Sequence, residues 1–292
     1  MYTQFFGNFL LSKGYITNEQ LFDALKEKAQ KHAKLGTLAI HSGLMTAAEV
    51  DSVIVEQTHQ DKKFGELTIE MGYLTDEQVK DLLNIQSPDF LLLGQILLDK
   101  GIIDNTTLEK SIHDYRNENA ISDLDMVLED KDSINHLIGH FFANTGIDPS
   151  AIDIMYLELL FNSFIRFVGD DYTPLSAEIC DSFSADCMVR QDIKGSYAIS
   201  TYIGMNQTTA INFASRYVNE SFSVYDEYVQ ASLDDFLNLN NGLFLVNCSN
   251  DQALELTLTA PEHFDGQTRS FNKACKLKLL YPFGAIHFII EF

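Results

Sequence analysis

Proline is scarce, with five in 292 residues. Together with a 46% share of hydrophobic residues, this excludes disorder as the general state, and the chain reads as globular throughout. Cysteine is scarce too. Cys180, Cys187, Cys248 and Cys275 all lie in the second half, without the paired spacing of a metal site. They predict reduced thiols of a cytoplasmic protein, with neither disulfides nor a metal. No long apolar run is present. The longest, Phe90 to Leu98, contains Gly94 and Gln95, and it falls well short of the roughly 20 residues of a membrane span. Membrane insertion is therefore not expected. The opening MYTQFFGNFLLSKG lacks a basic n-region and a small-residue cleavage site, which argues against a signal peptide. Positive charge is in short supply, with 20 Lys and Arg against 42 Asp and Glu, a net of −22. Residues 1–120 carry −7 and residues 121–292 carry −15. Such a surface repels nucleic acid and anionic lipid, and suits a protein partner with a basic patch.

What is present, first, is a repeat. Glycines recur at positions 7, 36, 65 and 94, and again at 14, 43, 72 and 101, every step being 29 residues. In each unit a short apolar helix is expected to run into the second glycine, which supplies a left-handed C-terminal cap. Three residues later stands an N-cap, Thr17, Thr46, Thr75 or Asp104. Gln20, Glu49 and Gln78 occupy the capping-box position in three units. Apolar residues flank each cap as a hydrophobic staple: Ile16 and Leu21, Met45 and Val50, Leu74 and Val79, Ile103 and Leu108. Residues 1–116 thus predict an all-α array of four stacked helical hairpins.

These units resemble the MshEN-type repeats at the N-termini of type II secretion and pilus-assembly ATPases. The family pattern is R-L-G-x-x-L-x-x-x-G, followed by a helix ending in Gln. The second unit has Lys34, Leu35, Gly36 and ends in Gln57; the third has Lys63, Phe64, Gly65 and ends in Gln86. The first and fourth units carry Phe5 and Leu92 at the Arg position, with Lys28 and Tyr115 at the Gln position. The resemblance implies cyclic di-GMP as a ligand, and the middle pair of units as its site. Lys lacks the flat bidentate fork of Arg, and the domain is acidic. The competing reading is a scaffold that binds a protein or positions the second domain.

From about 117 to 148 the repeat stops, and the segment reads as a linker with one short helix. His136 and His140 share a face there without the Cys or Glu of a metal site. Residues 149–292 have a different grammar. Asp148 and Pro149 suggest the N-cap and first residue of a helix that is apolar nearly all round. Strand-like segments follow, then a helix near Thr208, a long helix from Asp226, and three closing strands. The layout is α+β, an antiparallel sheet with long helices on one face. At 100° steps along the long helix, Val229, Leu233, Phe236, Leu243 and Phe244 share one side, while Asp235 and Asn238 point to solvent together.

This half resembles the CheC/CheX/FliY chemotaxis phosphatases, which carry E-x2-N-x22-P on a long exposed helix. Here Asp235 and Asn238 are followed, after 22 residues, by Pro261, and Gly242 fits the family's glycine four after the Asn. The first helix offers Glu158 but has Phe161 where a second site needs Asn, as in the one-site CheX branch. The resemblance implies hydrolysis of the phosphoaspartate of a CheY-like receiver domain. Asn238 would orient the attacking water and Asp235 would pair with the receiver's Lys. The receiver supplies Mg²⁺, so no cofactor of the chain's own is expected. Positioning carries most of such a step. Asp stands in place of Glu, one methylene shorter. The alternatives are a non-catalytic receiver-binding adaptor, and a solvated polar face formed by Asp235, Asn238, Asn240 and Asn241. Domains of this family often pair through sheet edges, which leaves a homodimer open.

Overall fold

The computed structural model describes residues 2–27, 33–84, 89–118, 138, 139, 142 and 145–292. The expected linker helix, His136 and His140, together with Gln86 and Lys28, lie outside the described residues. Two compact bodies result, residues 2–128 and 129–292.

The first body is built from four hairpins: α1 (Tyr2–Ser12) and α2 (Asn18–Glu27), α3 (Leu35–His41) and α4 (Ala47–Gln57), α5 (Phe64–Glu70) and α6 (Asp76–Asn84), α7 (Asp89–Asp99) and α8 (Asn105–Glu118). Gly14, Gly43, Gly72 and Gly101 are all left-handed, with φ between 64° and 77°. The three capping boxes close as their residues predict. Thr17 N–H donates to Gln20 Oε1 at 2.8 Å, Thr46 N–H to Glu49 Oε2 at 2.7 Å, and Thr75 N–H to Gln78 Oε1 at 2.8 Å. The fourth cap, Asp104 Oδ1, accepts from Thr107 N–H at 2.7 Å. Each such cap contributes about 1 kcal/mol.

The earlier glycine of the second, third and fourth units has a different reason. A Cβ on Gly36 would lie 3.0 Å from Val50 Cγ1, on Gly65 3.1 Å from Val79 Cγ1, and on Gly94 2.8 Å from Leu108 Cδ1. The glycine lets the second helix press its staple residue against the first. Gly94→Ala is accordingly expected to destabilise the helical body by about 0.5–2 kcal/mol, overpacking against Leu108 outweighing the roughly 1 kcal/mol that alanine gains over glycine inside a helix. Thermal denaturation of the variant beside wild type checks it; an unchanged midpoint would show that Leu108 simply yields.

The hairpins do not stack in chain order. α7 packs on α1, α2 and α3, and α8 packs on α4, so the fourth unit lies between the first and second. The second and third units pair reciprocally: Leu35 Cδ2 approaches Gly65 while the Phe64 ring approaches Gly36. Large rings decide the first contact, with Phe6 against Phe90 and Tyr115 at 5.3 Å.

In the second body, the described residues form α9 (Ala151–Phe167), α10 (Gln207–Val218) and α11 (Glu227–Gln252) together with nine strands. α9 starts two residues later than Asp148 and Pro149 suggest. Its N-cap is Ser150, whose capping box with Asp153 satisfies two backbone donors where Asp148 satisfies none. The main sheet is antiparallel, in the order β1 (Thr173–Ile179), β8 (Ala274–Tyr281), β9 (Gly284–Glu291), β4 (Ile199–Met205), β3 (Cys187–Gly195), β5 (Leu256–Leu258). β6 (Glu262–His263) also pairs with β3. Pro174 sits in β1, an edge strand, where its missing donor costs no ladder bond.

The three helices cover one face. On the other, β2 (Ser182–Ser184) and β7 (Thr268–Ser270) form a small ribbon that the sequence reading missed. Near it Met188, Tyr202, Phe271 and Ile289 make a secondary core. The pleat sorts β3 strictly, with Met188 toward the ribbon and Gln191 toward α11. All four cysteines are buried and free, and burial raises each thiol pKa. Among the described residues no helix is long and apolar enough to cross a membrane, and no cluster of three metal-ligating side chains occurs.

Candidate functional site

Asp226 caps α11, its Oδ1 accepting from Tyr228 and Val229 N–H at 3.1 Å. From there the helix runs 26 residues. Val229, Leu233, Phe236 and Phe244 are fully buried as their spacing predicts, but Leu243 is 39% exposed. The buried stripe is not straight. It begins at Val229, Ser232 and Leu233 and ends at Asn241, Phe244 and Cys248, a drift of roughly a quarter turn at 100° per residue. α10 covers the early part, where Phe213 and Tyr217 meet the Phe236 ring at 5.3 and 5.8 Å. Leu243 has rotated off the covered side.

Asp235 and Asn238 are both exposed on α11. Neither side chain is loose. Tyr217 on α10 donates its hydroxyl to Asp235 Oδ2 at 2.6 Å. Burial, and then this bond, pushes the Tyr217 phenol well above the usual tyrosine value, so it remains a donor. Among the described residues no hydrogen bond engages Asp235 Oδ1. A cleft of about 420 Å³ opens beside it, lined by Tyr217, Val218, Phe222, Tyr228 and Ala231. Val218 and Tyr228 expose apolar surface there.

Asn238 accepts at Oδ1 from Gln191 Nε2 at 2.8 Å. The same Gln191 amide donates to the Thr259 carbonyl at 3.0 Å. Thr259 stands two residues before Pro261, so Gln191 ties Asn238 to the segment that the 22-residue spacing brings back.

Asn240 and Asn241, grouped with the solvated face from sequence, are instead fully buried. They fill a polar seam between α9, α11 and the sheet. Tyr156 donates to Asn241 Oδ1 at 2.7 Å, and Asn241 Nδ2 reaches Gln191 Oε1 at 2.8 Å and Thr201 Oγ1 at 3.0 Å. Ser163 donates to Asn240 Oδ1 at 2.9 Å, and Asn240 Nδ2 donates to the Tyr156 hydroxyl at 3.2 Å. Sequence reasoning missed Gln191. Its signal was a glutamine at the same parity as Val189 and Ile193 in a strand otherwise apolar on that side. Phe161 on α9 is fully buried, so the place of a second site belongs to the core.

Gly242 has no neighbour within 4 Å of a built Cβ. A glycine inside a helix costs about 1 kcal/mol relative to alanine, and no packing among the described residues requires it here.

In the helical body, Lys34, Gly36 and Gln57 line one cavity of about 680 Å³. The expected partnership with the third unit does not form around it. Phe64 contributes, but Lys63 lies outside the lining, and the opposite wall is Gln95, Asp99, Asp104 and Asn105 of the fourth unit. Gly65 is spent on helix packing against Val79 and Leu35. Lys34 Nζ pairs with Asp99 at 2.7 Å, and its backbone N–H donates to Gln95 Oε1 at 3.0 Å. Gln57 Nε2 donates to the Lys62 carbonyl at 3.1 Å. Asp51, Asp99 and Asp104 leave the wall negative.

No protein-family model and no curated protein matches the chain. Among solved structures, the chemotaxis protein CheX from Desulfovibrio desulfuricans is similar over 48% of this chain and 98% of its own, at 13% identity and a TM-score of 0.42. A CheC-like superfamily protein from Shewanella sp. PV-4 is similar over 47% of this chain and 93% of its own, at 15% identity and a TM-score of 0.41. A CheX–CheY–BeF3–Mg²⁺ complex from Borrelia burgdorferi is similar over 47% of this chain and 94% of that one, at 18% identity and a TM-score of 0.37.

Proposed function

We propose that the second body dephosphorylates the phosphoaspartate of a CheY-like receiver domain. The observation that carries this reading is the pair Asp235 and Asn238. They are exposed side by side on α11, each held from within the chain, with a half-apolar cleft adjoining. The pair resembles the family's E-x2-N pattern with Asp235 in place of Glu, and Pro261 stands at the family's interval. In the reaction, water oxygen bonds to phosphorus as the bond from phosphorus to the receiver carboxylate breaks. The proton lost by water ends on inorganic phosphate. Asn238 orients that water, and Asp235 Oδ1 pairs with the receiver's Lys, while the receiver's Mg²⁺ balances the phosphoryl charge.

Gly242 supports the docking half of this reading, since bare backbone one turn beyond Asn238 leaves room for a partner. Gly242→Gln is expected to stabilise the fold by about 0.5–1 kcal/mol and to raise KM for the phosphorylated receiver. A variant with higher melting temperature and unchanged KM would remove Gly242 from the interface. Tyr217→Phe releases Asp235. It is expected to raise KM about threefold to tenfold, the worth of an ordinary hydrogen bond at an exposed carboxylate, with kcat unchanged; an unchanged KM would show that Asp235 is held well enough without it.

The test of the whole reading is phosphate loss from a phosphorylated receiver with Mg²⁺, with and without the protein. Acceleration is expected. Binding of the phosphorylated receiver without acceleration would favour the adaptor reading instead.

For the helical body, the resemblance implies cyclic di-GMP. Lys34 is committed to Asp99, and three carboxylates oppose a dianion. A scaffold that binds a protein or places the catalytic body is the reading these residues favour.

A further inference from the structure

The orientation of the Asn238 carboxamide is set by atoms whose roles are not interchangeable. The Thr259 backbone carbonyl can only accept, so the Gln191 atom 3.0 Å from it is the NH₂ nitrogen. The opposite end of Gln191 is therefore its oxygen, and it accepts from Asn241 Nδ2 at 2.8 Å. Asn241 is pinned independently. Thr201 Oγ1 donates to the Gln191 carbonyl at 3.0 Å and accepts from Asn241 Nδ2 at 3.0 Å. Asn241 Oδ1 accepts a hydrogen bond from the Tyr156 hydroxyl at 2.7 Å, and burial keeps that phenol protonated. Gln191, Thr201, Asn241 and Tyr156 are all buried to within 1% of completely, so water cannot substitute for any partner. The only orientation left for Asn238 places Oδ1 inward on Gln191 Nε2 and Nδ2 outward.

We propose that Gln191 is a positioning residue, which grips the oxygen of Asn238 so that the carboxamide meets the receiver as a hydrogen-bond donor. The role of Asn238 then becomes specific. Its N–H donates to the attacking water oxygen or to a phosphoryl oxygen, in a direction fixed before the partner arrives, and no reorientation is needed at the moment of reaction. The effect on turnover rests on the phosphatase reading; the clamp itself does not.

The test therefore has two readouts on the full chain. The first is ¹⁵N relaxation of the Asn238 side-chain NH₂, assigned by its disappearance in Asn238→Ala. In wild type the group is expected to be rigid, and in Gln191→Met its order parameter falls below about 0.6. Met keeps the volume, and Thr201 still holds Asn241. The second readout is receiver dephosphorylation. Gln191→Met is expected to lower kcat about tenfold or more with KM unchanged, and to add nothing in an Asn238→Ala background. Gln191→Glu, which retains an acceptor for Asn241 but offers Asn238 no NH₂, should lower kcat in the same way. An Asn238 amide that is mobile in wild type, or equally rigid in Gln191→Met, overturns the clamp. Full turnover by Gln191→Met, where Asn238→Ala has none, overturns the positioning role. A wild type that clamps Asn238 but never exceeds the spontaneous rate sinks the phosphatase reading alone.

Discussion

Asn238→Ala is expected to return phosphate loss from a phosphorylated CheY-type receiver to its spontaneous rate. Removing one preorganised hydrogen-bonding group from a reaction centre costs about a hundredfold or more in kcat. The receiver keeps its own Mg²⁺ and Lys, so the floor is the receiver's slow self-hydrolysis and not zero. Asn238 is exposed and lies outside the hydrophobic core, but its loss leaves one N–H of the buried Gln191 amide without an acceptor, so a stability loss of about 1–3 kcal/mol is expected. Loss of turnover with a cooperative melting curve shifted by only that much would place the chemistry on this side chain. Equal acceleration by wild type and variant would remove Asn238 from the mechanism and put the chemistry on another side chain, whereas no acceleration by either would leave a receiver-binding protein.

Asn241→Leu is expected to produce the largest loss of stability in the second body without touching the surface. Leucine conserves bulk but removes the acceptor for Tyr156 and the donor for Gln191 and Thr201. Each buried polar group stripped of its partner costs about 1–3 kcal/mol, so a loss of roughly 3 kcal/mol or more is expected. For a domain of this size that is a drop of about 6–12 °C in melting temperature. The asymmetry between broken and absent hydrogen bonds supplies a control. Adding Tyr156→Phe removes one of the orphaned groups and should recover part of the loss. A drop below about 2 °C for the single variant would mean that water or a rearranged side chain satisfies the seam.

The repeat was legible because its determinants are local. Glycine φ, an N-cap three residues later and the staple pair all act within one hairpin, and each closes as its residues dictate. The order in which hairpins pack was not legible. Four near-identical apolar faces offer several pairings, and only the meeting of Phe6 with Phe90 and Tyr115, and of Leu35 and Phe64 with the opposing glycines, selects one. The same choice set Lys34 against Asp99 of the fourth unit.

In the second body, the α+β layout, the long α11 and the outward Asp235 and Asn238 all follow from periodicity read along the chain. The ribbon of β2 and β7 did not, since three-residue strands carry too short a period to register. Asn240 and Asn241 look polar and therefore external to any one-dimensional reading. They are internal because Tyr156, Ser163, Gln191 and Thr201, 40 to 85 residues away along the chain, arrive with the complementary donors and acceptors. The sequence by itself determined where the repeat helices start and stop and which two side chains of α11 lie outward, because those depend on neighbours within a turn or two. Only the tertiary structure decided how Asn238 is held and which way its amide points. Those depend on buried hydrogen bonds that exist only when α9, α11, β3 and β4 are packed together.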